Sequence, residues 1–359
     1  MKNVILKLTG AFVLSSLIWS CTKTMENSPS QIALKSAIIS SSQSLNTAMT
    51  NISSSDAYQL LNISTADALK SGTLTISTGY KAYIPLSLIK GVYNYQTHRM
   101  SESMGYPLIH FFTKTADSSK MVVNMPLSKL KNPHFLRRYR PADSTLTNNF
   151  SISVSDYHNN YNNYHDYDYI NVANFSIDAV KAGSMIIKSI VSPANGKQYA
   201  SQFDFSNGYT AKYMYSSGDT TVSSFTILKD STILYQEKLL TVKKDTAEFG
   251  REHQYILTIG NVTIVRKTDT PAQVYVNGVL QPKAVVSVID KDENEDSEHS
   301  VCENRDIQIT FEDGTVSTIS SLIGNSISNI STLFKSLHQV YFAAYVVDWL
   351  GYDIYYNRN

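Results

Sequence analysis

The sequence predicts a mainly β (α+β) protein, in which helices at both ends flank a long antiparallel meander sheet, curved or flat. From about Gly72 the spacing of apolar residues changes from the helical period of 3.6 to the strand period of 2. Between Tyr199 and Asp290, strand-like segments alternate with turn signals such as Asn207-Gly208 and Asn277-Gly278. No helical segment separates these strands, so parallel βαβ units are excluded there.

Composition limits the classes of function. The 359 residues are 42% hydrophobic and only 17% charged, and 24 of them are tyrosine. Uncharged polar residues therefore supply much of the surface, whereas charged residues are typically about 25% of a chain. A formal net charge of +1 argues against a nucleic-acid-binding protein, which needs a strong basic excess.

The first 20 residues have the pattern of a secretory signal peptide. Lys2 and Lys7 provide a positive start, and the apolar stretch Leu8–Ile18 follows. That stretch is too short to cross a bilayer as a helix, which takes about 20 apolar residues.

The segment Ile18-Trp19-Ser20-Cys21 resembles the lipobox of bacterial lipoproteins. The resemblance implies that the chain is cut before Cys21 and that this cysteine carries the acyl chains of a membrane anchor. In such lipoproteins an aspartate directly after the cysteine favours retention in the inner membrane. Thr22 stands at that position here, so the same resemblance implies sorting to the outer membrane. We therefore expect a cell-envelope lipoprotein of Bacteroidetes type. The periplasmic and surface-facing sides both stay open, and no family is recognised for the body.

The helical parts lie at the two ends. Residues 21–31 form a polar tether, and residues 32–71 form a helical segment with an irregular apolar stripe. The β body covers 72–320, either as one domain or split near 160–170. The segment 321–359 begins with a helix and ends in an aromatic tail that reads equally well as helix or strand.

One hairpin is expected early in the β body. Leu108–Lys114 and Met121–Met125 are strand-like runs on either side of a polar turn. This arrangement predicts that the two runs pair with each other.

The segment Asp156–Tyr169 carries the densest polar and aromatic pattern. Its five tyrosines could stack on sugar rings, because a tyrosine offers an apolar face and a hydroxyl. Its imidazole and carboxylate groups could instead bind Zn²⁺ or another divalent ion, and a polar loop without a ligand is the simpler alternative. The glycan candidates are Tyr157, Tyr161, Tyr164, Tyr167 and Tyr169; the metal candidates are His158, His165 and Asp166.

A second metal candidate is the acidic run that begins at Asp290. Asp290, Asp292, Asn294 and Asp296 match the first alternating oxygen ligands of a Ca²⁺ loop. Two later loop positions lack the glycine and the bidentate glutamate that such loops use. A solvated acidic loop is the alternative. We therefore expect no cofactor, with calcium at this acidic run as the one exception considered.

The expected function is a non-catalytic binding or structural role at the membrane, with a glycan as the suggested ligand. The chain has no G-x-S-x-G, H-E-x-x-H, C-x-x-C or phosphate-binding glycine motif. Two alternatives remain. One is a carrier or chaperone that holds a hydrophobic ligand in a curved sheet; the other is a glycoside hydrolase, whose two carboxylates leave no local signature. The expected partners are a lipid membrane, through Cys21, and a glycan; the oligomeric state is open.

Overall fold

The structure is a computed structural model. It describes residues 33–62, 82–96, 108–130, 146–194, 196–243, 251–290, 305–324, 326–338 and 341–357. The predicted signal peptide, Cys21 and the predicted tether lie outside these residues, as do Asp292, Asn294 and Asp296. The chain from Ala33 to Asn359 clusters as one compact unit.

Helices occupy both ends of the described chain and three short stretches between strands. The α-helices are α1 (Leu34–Ser53), α2 (Asp56–Asn62), α3 (Leu86–Ile89), α4 (Leu127–Leu130), α5 (Ile319–Ile323), α6 (Ser326–His338) and α7 (Tyr341–Asn357), and a 3₁₀ helix covers Leu108–Phe111. The aromatic tail is therefore helical. None of the described helices is long and apolar enough to span a membrane.

Strands make up more than half of the residues that the structure describes. They are β1 (Ala82–Pro85), β2 (Gly91–Tyr95), β3 (Phe112–Ala116), β4 (Met121–Met125), β5 (Phe150–Asn163), β6 (Asp166–Ile177), β7 (Val180–Ser192), β8 (Gly196–Phe205), β9 (Tyr209–Ser217), β10 (Thr220–Lys229), β11 (Thr232–Lys243), β12 (Arg251–Ile259), β13 (Val262–Lys267), β14 (Gln273–Val276), β15 (Val279–Leu280), β16 (Val285–Asp290), β17 (Arg305–Thr310) and β18 (Val316–Thr318).

The long sheet is a meander from β4 to β15. Each of these strands pairs antiparallel with the next one along the chain, and β1 pairs with β5. Strands β16, β17 and β18 form a separate small sheet. The prediction of a mainly β protein with a long antiparallel meander and flanking helices is confirmed, and the sheet is not closed.

The turn chemistry explains why neighbouring strands pair. At the β14–β15 turn, Asn277 and Gly278 both have positive φ, 51° and 78°. Two successive positive φ values define the type I′ turn, whose twist matches that of the strands it joins. Asparagine and glycine adopt this backbone at low cost. The dipeptide therefore reverses the chain direction and places β15 antiparallel to β14.

The predicted hairpin between Leu108–Lys114 and Met121–Met125 is wrong. Strand β2 lies between β3 and β4, antiparallel to β3 and parallel to β4. Local patterning locates strands but does not identify their partners. Here β2 buries every second side chain, and it can do so because it occupies an interior position in the sheet.

The core lies between the helices and one face of the long sheet. The rings of Phe150, Phe175 and Phe203 are stacked there, with centroids 6.1 Å and 5.7 Å apart. Strand β7 runs between the strands of Phe175 and Phe203 and presents Gly183 at this level. A Cβ on Gly183 would stand 2.9 Å from the Phe203 ring, so the missing side chain makes room for the stack.

The helices cover part of this sheet face. Helix α1 contacts β11, β12 and β13, and α6 contacts β8 and β9. The Phe334 ring of α6 meets Tyr213 and Phe225 edge-on at 5.6 Å and 5.4 Å. Helix α7 lies against β1 and the 3₁₀ helix. Beyond these contacts the same face becomes accessible to solvent, and the candidate binding surface begins there.

Candidate functional site

The Asp156–Tyr169 segment is a strand hairpin formed by the ends of β5 and β6. A change of register between Val154 and Asp156 sets which side chains of β5 point inward. Tyr157 consequently faces the core, and Tyr169 does so by regular alternation along β6; both are buried. His158 and Asp168 lie on the opposite sheet face, since successive strand residues alternate.

The five candidate tyrosines do not form one platform. Tyr157 and Tyr169 pack edge-on in the core with centroids 6.1 Å apart. Tyr161 and Tyr167, a cross-strand pair, are stacked at 6.5 Å and half-buried. Tyr164 stands at the hairpin turn, 70% exposed, against the His165 ring.

The candidate metal ligands of this segment are likewise separated. His158 Nε2 lies 3.1 Å from Asp168 Oδ1, whereas Asp166 accepts a hydrogen bond from the Asn162 side chain. Within the residues that the structure describes, no group of three or more His, Cys, Asp or Glu side chains could hold a metal ion. Of the calcium candidates, Asp290 ends β16, where its backbone lies opposite that of Arg305 on β17.

The outward face of the hairpin holds a shallow pocket of about 440 Å³. It is lined by Tyr83, His158, Asn160 and Asp168. Tyr83 comes from β1, whose register places it beside Asn160. The pocket therefore combines an exposed aromatic ring with polar side chains, although it is short and open.

A buried carboxyl group connects α7 to the sheet. Asp348 accepts from the Tyr169 hydroxyl, whose oxygen lies 3.1 Å and 3.2 Å from the two carboxylate oxygens. Asn171 Nδ2 donates in turn to the Tyr169 hydroxyl at 3.2 Å. Burial raises the pKa of Asp348 to about 7, although the neighbouring Tyr157 and Tyr169 hydroxyls act in the opposite direction.

Two polar atoms beside this carboxyl have no hydrogen-bond partner among the described residues. They are Tyr157 Oη and Asn171 Oδ1. Burial, followed by the Asp348 charge, raises the pKa of Tyr157 and of Tyr169, so both phenols stay neutral. The Tyr169–Asp348 bond ties α7 to β6.

A row of side chains crosses the helix-facing side of the sheet just beyond the helices. Directly paired residues of neighbouring strands present their side chains on the same face, and the register here continues over seven strands. We call it the tyrosine row. It consists of Ser189, Tyr199, Tyr215, Ser223, Leu239, Tyr255 and Arg266.

The row spans roughly 30 Å, because neighbouring strands lie about 4.8 Å apart. Its first member, Ser189, pairs on the other side with Tyr169, which lies beneath α7. The row therefore starts at the docked C-terminal helix and runs outward to the Arg266 strand.

Burial along each strand explains why the row is half-exposed. On each strand, the residue two positions from the row towards the helices is covered: Ser201, Tyr213 and Leu257 are buried. In the row, Tyr199, Tyr215 and Tyr255 are partly buried against the core, and Leu239 is 43% exposed. The rings are thus held by packing on one side and open on the other.

Hydroxyl groups and a buried acid accompany the rings. The Tyr167 and Ser189 hydroxyls lie 3.1 Å apart, and the Ser223 hydroxyl donates to Tyr213 Oη. Glu237 accepts from the Tyr235 hydroxyl. Burial raises the pKa of this carboxyl, and burial together with the Glu237 charge raises the pKa of Tyr255. The Tyr255 hydroxyl therefore remains a neutral donor.

The far end of the row opens into a pocket of about 640 Å³. Its walls belong to β12, β13 and the turn that follows β13. The lining residues are His253, Tyr255, Arg266, Lys267, Thr268, Asp269 and Thr270. We call it the Arg266 pocket.

The tyrosine row was not predicted from the sequence, because its members come from seven strands. On β9, however, Tyr209, Tyr213 and Tyr215 stand at every second or fourth position, which indicates tyrosine on one face. Only the register between strands aligns Tyr215 with Tyr199 and brings Tyr255 into the same row. Comparisons of the chain with protein-family models, curated proteins and solved structures found no match.

Proposed function

We propose that this chain is a lipid-anchored envelope protein that binds a glycan, without catalysis, along the tyrosine row. The observation that carries the proposal is the alignment of Tyr199, Tyr215 and Tyr255, three half-exposed rings, across one sheet face. Sugar rings combine an apolar face with many hydroxyls, so they fit a surface that offers aromatic faces beside polar groups.

The shape of the surface favours a chain-like ligand. A deep pocket suits a small molecule and buries most of it. The tyrosine row is instead long and open, and rings and hydroxyls recur along it. An extended oligosaccharide can contact several of these groups at once, and the weak contacts then add up to a useful affinity.

The rigidity of the row supports recognition by preorganised rings. Tyr199 packs against Tyr213 with centroids 5.9 Å apart, and Tyr213 is itself fixed by Phe334 of α6. A ring that is already held loses little conformational entropy when a ligand stacks on it. The helices thus position the surface without covering it.

The membrane part of the proposal comes from the sequence. Acylation of Cys21 would fix the chain to a lipid bilayer, and the polar tether of residues 21–31 would separate the folded body from that bilayer. We place the protein in the cell envelope, at the outer membrane, on the strength of the lipobox resemblance.

A carrier of hydrophobic ligands fits the geometry less well. Such a protein needs an apolar cavity, and the two best-formed pockets on the described residues are open surface depressions with polar linings. The interior beneath the helices is filled by side chains such as Phe150, Phe175 and Phe203.

Affinity electrophoresis of the purified full-length chain tests the glycan proposal. Gels that contain a panel of polysaccharides should retard the wild type. Tyr199→Ala with Tyr215→Ala should weaken retention at least about fivefold, since each lost stacking contact is worth about 0.5–1.5 kcal/mol.

The matched control is Tyr275→Ala, which removes a half-exposed ring from the opposite face of the same sheet. It should leave retention unchanged. Equal retention of the control and the double variant would contradict the proposal, as would a wild type that no polysaccharide retards. Circular dichroism verifies that both variants are folded.

A further inference from the structure

We propose that the Arg266 pocket binds the anionic group of an acidic polysaccharide whose sugar rings lie along the tyrosine row. This inference rests on the proposed function and adds the ligand class, namely a glycan that carries carboxylate or sulfate groups. Four features of the pocket support it: its position, its charge, the geometry of its cations and the ring beside them.

The pocket continues the row instead of standing apart from it. Tyr255 is the last ring of the row, and Arg266 is its cross-strand neighbour on β13. Both residues also line the pocket. A ligand that stacks on Tyr255 therefore reaches the guanidinium group without leaving the surface.

The charge of the pocket is mainly positive. Arg266 and Lys267 are both exposed cations, and Asp269 is the one acidic residue in the lining. Within the part of the chain that the structure describes, no carboxylate forms an ion pair with Arg266 or Lys267. Two cations without an internal partner are available to an anionic ligand.

The two cations differ in how each can bind an anion. The planar guanidinium of Arg266 can bind two oxygens of a carboxylate or sulfate side by side, whereas the ammonium group of Lys267 acts as a point charge. Lys267 ends β13, and the turn through Asp269, where φ is 61°, follows at once. Both residues line the pocket at the end of this strand; Arg266 lies on the face of the tyrosine row, and Lys267, the next residue, alternates to the other face.

The pocket walls are fixed by hydrogen bonds. The backbone N–H of His253 donates to Thr268 Oγ1 at 2.8 Å, and the backbone N–H of Thr268 donates to the His253 carbonyl oxygen at 2.9 Å. His253 Nδ1 also lies 3.1 Å from Thr241 Oγ1. These bonds hold β12 and the turn after β13 together, so the cations project from a defined frame.

The opposite face of the sheet provides a control for charge alone. Lys212 and Lys238 occupy that face, because each alternates with core-facing neighbours on β9 and β11. The double variant Lys212→Gln with Lys238→Gln removes two positive charges, as many as Arg266→Gln with Lys267→Gln removes. Any effect of net charge must therefore appear equally in both double variants.

The test measures retention of the full-length chain in gels that contain matched pairs of polymers. Polygalacturonate is compared with its methyl ester, and dextran sulfate with dextran. The wild type should bind at least one acidic polymer more tightly than its neutral partner. Arg266→Gln with Lys267→Gln should weaken binding to that acidic polymer about three- to tenfold, at low salt, and leave the neutral one unchanged. The polymer pair that responds identifies the group as carboxylate or sulfate.

The outcomes separate this inference from the proposed function. An acidic preference that survives Arg266→Gln with Lys267→Gln, or that Lys212→Gln with Lys238→Gln removes equally, overturns the pocket assignment. So does a wild type without an acidic preference, even if Tyr199→Ala with Tyr215→Ala still weakens binding to neutral polymers. Conversely, binding to an acidic polymer that needs Arg266 but not the tyrosines supports the pocket and contradicts the row.

Discussion

The hydroxyl oxygen of Tyr169 lies 3.1 Å from Oδ1 of Asp348, although 179 residues separate the two in the chain. This contact joins the C-terminal helix α7 to strand β6 at the point where the tyrosine row begins. A carboxyl group at a helix–sheet interface is costly to ionise. The docking of α7 should therefore depend on pH.

Asp348→Asn should remove a pH dependence of stability. The pKa of this carboxyl is about 7 in the folded protein and that of an ordinary aspartate when unfolded, so the folded state binds the extra proton. Stability contributed by Asp348 is consequently present below about pH 4 and lost as pH rises towards 7, by about 4 kcal/mol. Urea unfolding at several pH values should show a shallower slope for the variant between pH 4 and 7. An unchanged slope would contradict the burial of a titrating Asp348.

Asp313 should show the opposite sign. Bonds from the Thr315 side chain and backbone, and then from Lys35, lower its pKa to about 2. Its stabilising effect is present above about pH 4 and is lost as pH falls through 2. Asp313→Asn should therefore match the wild type near pH 2 and be slightly less stable at neutral pH, because the group is exposed. Thermal unfolding across this range measures the difference, and a variant more stable at neutral pH would contradict it.

Gly183→Ala should destabilise the protein by about 1–3 kcal/mol. The new Cβ would lie 2.7 Å from the Asp204 carbonyl oxygen and 2.9 Å from the Phe203 ring, so the ring stack would have to move. Gly218→Ala is the matched control, since nothing lies within 4 Å of its Cβ position. Chemical denaturation compares the two; equal stability would show that the Phe203 stack tolerates a methyl group.

Lipidation at Cys21 is tested in cells. Radiolabelled palmitate should enter the wild type and should not enter Cys21→Ala, because the expected acyl acceptor is the amino-terminal cysteine. The labelled chain should also partition into the membrane fraction. Equal labelling of both proteins would contradict the lipoprotein interpretation while leaving the tyrosine row untouched.

The sequence alone was sufficient for the type of fold. Alternating segments and turn dipeptides such as Asn277-Gly278 are local signals, and a meander pairs each strand with the next one, so local order already implies topology. The prediction failed at β2, whose insertion between β3 and β4 is a non-local choice. The tail after residue 340 also needed the structure, since an unbroken apolar run suits a helix and a buried strand equally well.

The candidate surface depended on tertiary structure for the same reason. The dense segment around Tyr161 and Tyr164 was the predicted site, yet a strand sends successive side chains to opposite faces. The tyrosines of the two strands therefore share the core-facing side, partly or fully buried, while His158 and Asp168 lie on the other. Tyr199, Tyr215 and Tyr255 lie far apart in the chain and meet because cross-strand register aligns them. The sequence determined which segments become strands and turns, since those preferences are local; packing of α6 and α7 on the sheet decided which tyrosines are covered and which remain open to a ligand.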